Sequence, residues 1–273
     1  MSDKTTTTIM SRSEIHNISF PNNYHTHTYR CKHAIGDVEE YIKVADVLGM
    51  KEIGISDHTP LPDNWVPEIR MKMNELDDYT KSIENANDNF PNVNVLKSME
   101  CDWVDSYKQF YQDELLGKRK YDYLIGSVHF YNNNKDWVYA YDTAKTKDLI
   151  HYAKLFIEAM ESGLFKFMAH PDLFGGSFST WNKNIEAASR EMIQAAQKLN
   201  IPLEINGNGF VRDTNIKGSR PYPIEKFWAI AAEYPELKVI CNSDAHSPND
   251  IFNGIGKGKA LAMQYGLEII HKL

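Results

Sequence analysis

Three cysteines in 273 residues are too few, and odd in number, to staple a chain this long with disulfides. Reduced thiols and a cytoplasmic setting are the expectation. No apolar run approaches the roughly 18 residues that a membrane span needs. Residues 1–20 are polar and rich in Thr and Ser, without the apolar stretch of a secretory signal, and read as a leader before one domain over 21–273. Positive charge is concentrated nowhere: 30 Lys and Arg are scattered against 37 Asp and Glu, for a net charge of −7. A nucleic-acid polymer or an anionic membrane needs a concentrated basic surface, so neither is an expected partner. The nucleophiles of covalent phosphate chemistry are missing too. Six positions after Cys31, Cys101 and Cys241 stand Asp37, Tyr107 and Ser247 rather than Arg, and no Asp-x-Asp-x-Thr motif occurs. A covalent phosphoenzyme is therefore not expected.

What the chain does have is alternation. Short runs at 22–26, 52–56, 93–99, 121–128, 165–169, 201–205 and 238–241 read as strands. Helical patterns follow them. After Gly36-Asp37, residues Val38, Tyr41, Ile42, Ala45 and Leu48 keep the spacing of one apolar helix face, and Gly49 marks a stop. Further helices are expected near 73–87, 107–116, 147–162, 184–199, 224–233 and 249–265. Strict alternation calls for parallel strands with right-handed helical crossovers. An α/β barrel suits a single domain of this length, and an open doubly wound sheet would show the same pattern.

Histidine is placed less evenly than anything else. His25, His27 and His33 fall within nine residues. In an extended strand, residues i and i+2 point the same way, so His25 and His27 can grip one ion together. Asp57 and His58 follow the second expected strand, Glu100 the third, His129 the fourth, His170 the fifth, and Asp244 and His246 the seventh. In a closed β/α barrel these strand ends meet at one face. His16, His151 and His271 break the pattern. One histidine after a strand is most simply structural, but six strand ends bearing imidazole or carboxylate point to metal. One tetrahedral ion takes about four ligands, so these donors suggest two or three ions with a bridging carboxylate. Imidazole mixed with carboxylate suits zinc, iron or manganese. Ions held about 4 Å apart generate hydroxide at neutral pH and clamp phosphoryl oxygens.

Taken together, the His25-Thr-His27 pair, His33, Ser56-Asp-His58, Glu100, Gly126-Ser-Val-His129, Ala169-His-Pro171 and Ser243-Asp-Ala-His246 resemble the PHP (polymerase and histidinol phosphatase) family, in family order. The resemblance runs from Asn23 to about His246. It implies a distorted (β/α)7 barrel with a trinuclear centre. By that likeness His25, His27, Glu100 and Asp244 hold one ion. Glu100 bridges to a second, also held by His129 and His170, and His33, His58 and His246 hold the third. Glu100, Asp244 and Asp57 are the expected catalytic carboxylates. The segments Tyr121–Phe130 and Arg220–Pro223 look most like the family's histidinol-phosphate phosphatases, which implies histidine biosynthesis and L-histidinol phosphate as substrate.

Other residues carry weaker indications. Arg212 and Arg220, after the sixth strand, are candidate phosphate ligands, since a guanidinium binds a phosphate in bidentate fashion. Asn206 either orients a ligand or caps its strand. Asp57 either orients a neighbour or gives a proton to the leaving alcohol. Trp65, Trp103, Phe130 and Trp137 are either walls for an imidazole or anchors of core and loop, and Asp102, Asp172 and Asp213 are candidate partners for an amine. The expected reaction is direct attack of a metal-bridging hydroxide on a small phosphomonoester. Nucleotides or short oligonucleotides are the alternative substrates, and a non-catalytic metal-binding barrel is the alternative class.

Overall fold

The computed structural model describes residues 22–141, 144–178, 180–211 and 222–273. In chain order its strands are β1 (Glu52–Ile55), β2 (Asn94–Asp102), β3 (Tyr123–Ser127), β4 (Phe130–Asn132), β5 (Trp137–Tyr139), β6 (Phe167–Met168), β7 (Leu203–Asn206), β8 (Lys238–Asn242) and β9 (Glu268–Ile270). β4 and β5 form an antiparallel hairpin, and the other seven make one parallel sheet in the order β1-β2-β3-β6-β7-β8-β9. Helix Val38–Val47 precedes β1, and helices Leu76–Asn89, Leu149–Glu161, Lys183–Leu199, Glu225–Ala231 and Ile255–Gln264 lie along the chain between the strands. The helix expected near 107–116 is a short turn, Lys108–Phe110, continued as a π-helical stretch, Tyr111–Lys118. The sequence sets the helix starts locally. Asp37 accepts from the Val38 N–H at 2.7 Å while its own N–H reaches Glu40 Oε2 at 2.8 Å, a capping box.

The sheet curls into the distorted barrel that the family resemblance implies, and residues 23–27 bridge its two edges. The expected first strand makes isolated parallel bridges, Asn23 to Ile53 on one side and Thr26 to Ala245 on the other. Its hydrogen bonds include Gly54 N–H to Asn23 O at 2.8 Å and His27 N–H to Ala245 O at 2.8 Å. β9, a strand the sequence reading missed, pairs with the lower part of β8 at Lys238–Ile240. Residues 23–27 thus span the seam between β1 and the end of β8, which sets His25 and His27 at the carboxyl ends of the strands.

Below the histidines the barrel is plugged by Tyr24, Tyr123, Ile125, Phe167, Ala169 and Ile240, all buried. Gly54 makes room for this plug, because a Cβ there would run into the Tyr123 hydroxyl. The larger core lies between sheet and helices, where Val38, Tyr41, Leu76, Phe156, Met192 and Trp228 are buried. Among the described residues no helix is long and apolar enough to cross a membrane.

Candidate metal centre

Glu100, near the end of β2, stands at the middle of the site and its two oxygens face different partners. Oε2 lies 3.4 Å from His25 Nε2 and 3.5 Å from His27 Nε2. The same two nitrogens lie 3.6 and 3.0 Å from Asp244 Oδ1. Oε1 lies 3.5 Å from His129 Nε2 and 2.9 Å from His170 Nε2. Ligand atoms about 2.0–2.1 Å from a tetrahedral ion sit roughly 3.3 Å from one another. The separations found here suit that arrangement on both sides of Glu100. His58 stands between groups. Its Nδ1 is 2.9 Å from Glu100 Oε2 yet makes no hydrogen bond with it, and its ring is 5.3 Å from that of His33. His33 in turn lies 4.8 Å from His246, ring to ring.

The fit to metal is tested by what these atoms lack. His25 Nε2, His27 Nε2, His58 Nδ1, Glu100 Oε2 and Asp244 Oδ1 are all buried without a hydrogen-bond partner. Orphaned buried donors and acceptors cost about 1–3 kcal/mol each, and proteins keep them at one point only for a reason. A set of imidazole and carboxylate atoms around a shared centre fits zinc, iron or manganese. Backbone strain marks the same place. His170 and Asp244 hold left-handed φ values of 27° and 51°, a conformation that side-chain-bearing residues adopt rarely.

The opposite ring nitrogens are held by the fold. His25 Nδ1 meets Glu204 at 2.9 Å and His129 Nδ1 meets Asp102 at 3.1 Å. His33 and His246 turn Nδ1 to the carbonyls of Cys31 and Asp244, at 2.7 and 3.0 Å. Each contact leaves Nε2 for a metal, the usual pairing for a ligating imidazole. Charge is distributed to match. Burial works against ionised Glu100, but His129, His58 and His25 overcome it and hold its carboxyl well below the usual range. Asp244 is held low in the same way, against burial, by His25, His27 and His246. Burial drives His58 well below its ordinary value, and burial with His27 takes His246 down to about 4. Against burial, Glu204, Asp244 and Glu100 raise His25, and Asp102 and Glu100 raise His129. His58 and His246, held low beside ionised carboxylates, are in the protonation state that binds cations.

A cavity of about 390 Å³ opens over this cluster. His33, His58, Glu100, His129, His170, Asp244 and His246 form its floor, and Ile69, Phe130, Tyr139, Leu173, Asn208 and Tyr222 its walls. The aromatic wall is built by the hairpin, whose register pairs Phe130 with Tyr139. Trp65 backs Phe130 at 5.3 Å and Trp137 at 4.7 Å, ring to ring.

Several expected residues lie elsewhere or are already engaged. Trp103 is in the core against Phe165, away from the cavity. Asp102 is not free for an amine, since it holds His129 and an ion pair with buried Arg70. Asp172 accepts from Ile224 N–H and Trp228 Nε1. The Asp57 carboxylate accepts from Thr28 N–H at 2.8 Å and Thr28 Oγ1 at 2.7 Å and does not line the cavity, and burial pushes its carboxyl up to about 7. Asn206 gives Nδ2 to Asp244 Oδ2 at 3.1 Å and accepts at Oδ1 from the Asn208 N–H at 3.0 Å. Arg212, Asp213 and Arg220 lie outside the described residues. The sequence reading missed Glu204, an acid amid apolar residues in β7, and Arg70.

A family model described as "PHP domain" matches residues 23–208. A relative from Deinococcus radiodurans named "Probable histidinol-phosphatase" is 29% identical over 238 residues, covering 83% of this chain and 86% of its own. One of the same name from Schizosaccharomyces pombe is 26% identical over 122 residues, or 41% of this chain and 40% of its own. The solved histidinol phosphate phosphatase of Lactococcus lactis, complexed with zinc, L-histidinol and phosphate, aligns over 93% of this chain and 96% of its own. Its TM-score is 0.72 at 16% identity, a likeness of fold. Since the family model spans most of the barrel, the chain belongs to the PHP domain family.

Proposed function

We propose that this protein is a metal-dependent phosphomonoesterase that hydrolyses L-histidinol phosphate to L-histidinol and phosphate. The observation that carries the reading is the pair of donor groups on the two faces of Glu100, set under a cavity with an aromatic wall. Relatives that bear the histidinol-phosphatase name support the substrate. A cavity of about 390 Å³ is at the small end of ligand pockets, suited to a metabolite rather than a polymer.

His25, His27, Glu100 and Asp244 would hold one ion, and Glu100, His129 and His170 a second. His33, His58 and His246 would complete a third position. Zinc is the first candidate, with iron and manganese compatible with the same donors. Bound ions supply water activated at neutral pH and positive charge for phosphoryl oxygens. The chain's own residues do the rest. Glu100 keeps the two groups in register through its two oxygens, and Asn206 and Asn208 steady Asp244 from Oδ2 at 3.1 and 3.4 Å. Arg212 and Arg220 are assigned on sequence grounds as cationic donors to the phosphate. Phe130 and Tyr139 provide flat surface for an imidazole ring.

The test is phosphate release by metal-loaded protein from L-histidinol phosphate, nucleoside monophosphates and sugar phosphates. Selective turnover of L-histidinol phosphate is expected. Preference for nucleotides would overturn the substrate, and no turnover on any phosphomonoester would overturn the enzyme.

A further inference from the structure

Glu204 is in none of the expected ligand sets, yet it touches both halves of the metal centre. It is fully buried at the second position of β7. Its Oε1 lies 2.9 Å from His25 Nδ1 and 2.9 Å from Asn242 Nδ2. Its Oε2 lies 2.7 Å from Asn206 Nδ2 and 3.2 Å from the backbone nitrogen of His170. Three of these partners are donors for reasons independent of Glu204. The His170 group is a backbone N–H. Asn242 turns Oδ1 to the Tyr24 N–H at 2.9 Å, and Asn206 turns Oδ1 to the Asn208 N–H at 3.0 Å, so each presents its NH2 to Glu204. A carboxylate satisfies all three and has room for a fourth donor, which is His25 Nδ1–H. With the proton on Nδ1, the lone pair of His25 sits on Nε2, the atom facing Glu100 Oε2 and Asp244 Oδ1.

We propose that Glu204 is a positioning residue that fixes the Nδ1–H tautomer of His25 and thereby sets the metal affinity of the group formed with Glu100 and Asp244. The proposal rests on the metal-centre reading above. Glutamine has the same shape but cannot substitute. Its one amide oxygen accepts on one side, and its NH2 then confronts two donors on the other. An NH2 facing His25 favours the tautomer with its proton on Nε2, which cannot ligate.

Zinc affinity, measured by competition with a chromophoric chelator, tests this on the full chain as wild type, Glu204→Gln and Glu52→Gln. Glu52 is also buried, at the opposite end of the barrel, where it accepts from Tyr24 Oη at 2.6 Å and Asn94 Nδ2 at 2.7 Å. Glu204→Gln is expected to weaken zinc binding by about 10–100-fold, the usual scale for removing a partner of a ligating histidine, with Glu52→Gln unchanged. Equal affinity in wild type and Glu204→Gln overturns the proposal. So do equal losses in both variants, which would mark general loosening. A second measurement needs no variant: long-range 15N–1H correlation on zinc-loaded wild type reports which nitrogen of His25 carries the proton. Nδ1–H supports the proposal and Nε2–H overturns it. Wild-type protein that takes up no zinc, iron or manganese would instead remove the metal-centre reading itself.

Discussion

Stripping the metal should cost this protein much of its stability, and the size of the loss follows from the site. Without ions, five donor atoms around Glu100 and Asp244 stay buried and unpartnered. An ion that binds only the folded chain stabilises it by about 2.7 kcal/mol when free metal stands at 100 times Kd. Two groups, one on each face of Glu100, would contribute about 5 kcal/mol at that excess. For a domain of this size each kcal/mol moves Tm by roughly 2–4 °C, so loaded and stripped protein should melt about 10–20 °C apart. The assay is a thermal melt by circular dichroism, with zinc-loaded samples compared with chelator-treated ones. Glu100→Gln, which takes the shared carboxylate from both groups, should bring the two melts close together. A stripped wild type that melts within about 2 °C of the loaded protein would refute the reasoning, because the buried atoms would then have no need of a metal.

Three further outcomes are expected. Gly54→Ala drives a methyl into the Tyr123 hydroxyl in the barrel plug and should destabilise the fold by about 1–3 kcal/mol or more, read from denaturant unfolding. Phe130→Ala removes a cavity wall and should lower kcat/KM for L-histidinol phosphate roughly tenfold, about 1.4 kcal/mol, with ion content unchanged. Arg212→Ala and Arg220→Ala each remove a charged donor worth about 1.5–3 kcal/mol and should lower kcat/KM by roughly 10–150-fold, again with the ions retained. An arginine whose loss leaves kinetics unchanged is not a phosphate ligand.

The centre was legible in the sequence because a parallel barrel gathers its strand ends. His58, His129, His170 and Asp244 are far apart along the chain, but each follows a strand, and the structure gathers them around Glu100 near the end of β2. What escaped was set by direction and by short elements. In the short strand Leu203-Glu-Ile-Asn206 both faces are buried, so periodicity cannot tell which side faces the barrel interior, and Glu204 went unnoticed. Asp102 was read as a free acid because its partners, Arg70 and His129, are 32 and 27 residues away and meet it only in the fold. Of the candidate aromatics, Trp103 takes the core position against Phe165, because tertiary packing and not local sequence decides its direction. Strand β9 has three residues, too few to show a period. The β4–β5 hairpin turns through the polar run 132–136, and its two strands of three residues each are also too short to show a period.

The measurement that most directly tests the account is the anomalous-scattering map of a crystal grown with zinc. The account predicts peaks on both faces of Glu100, about 4 Å apart, one beside His25, His27 and Asp244 and the other beside His129 and His170. A map with no ion at Glu100, or with zinc bound only elsewhere on the chain, would contradict it.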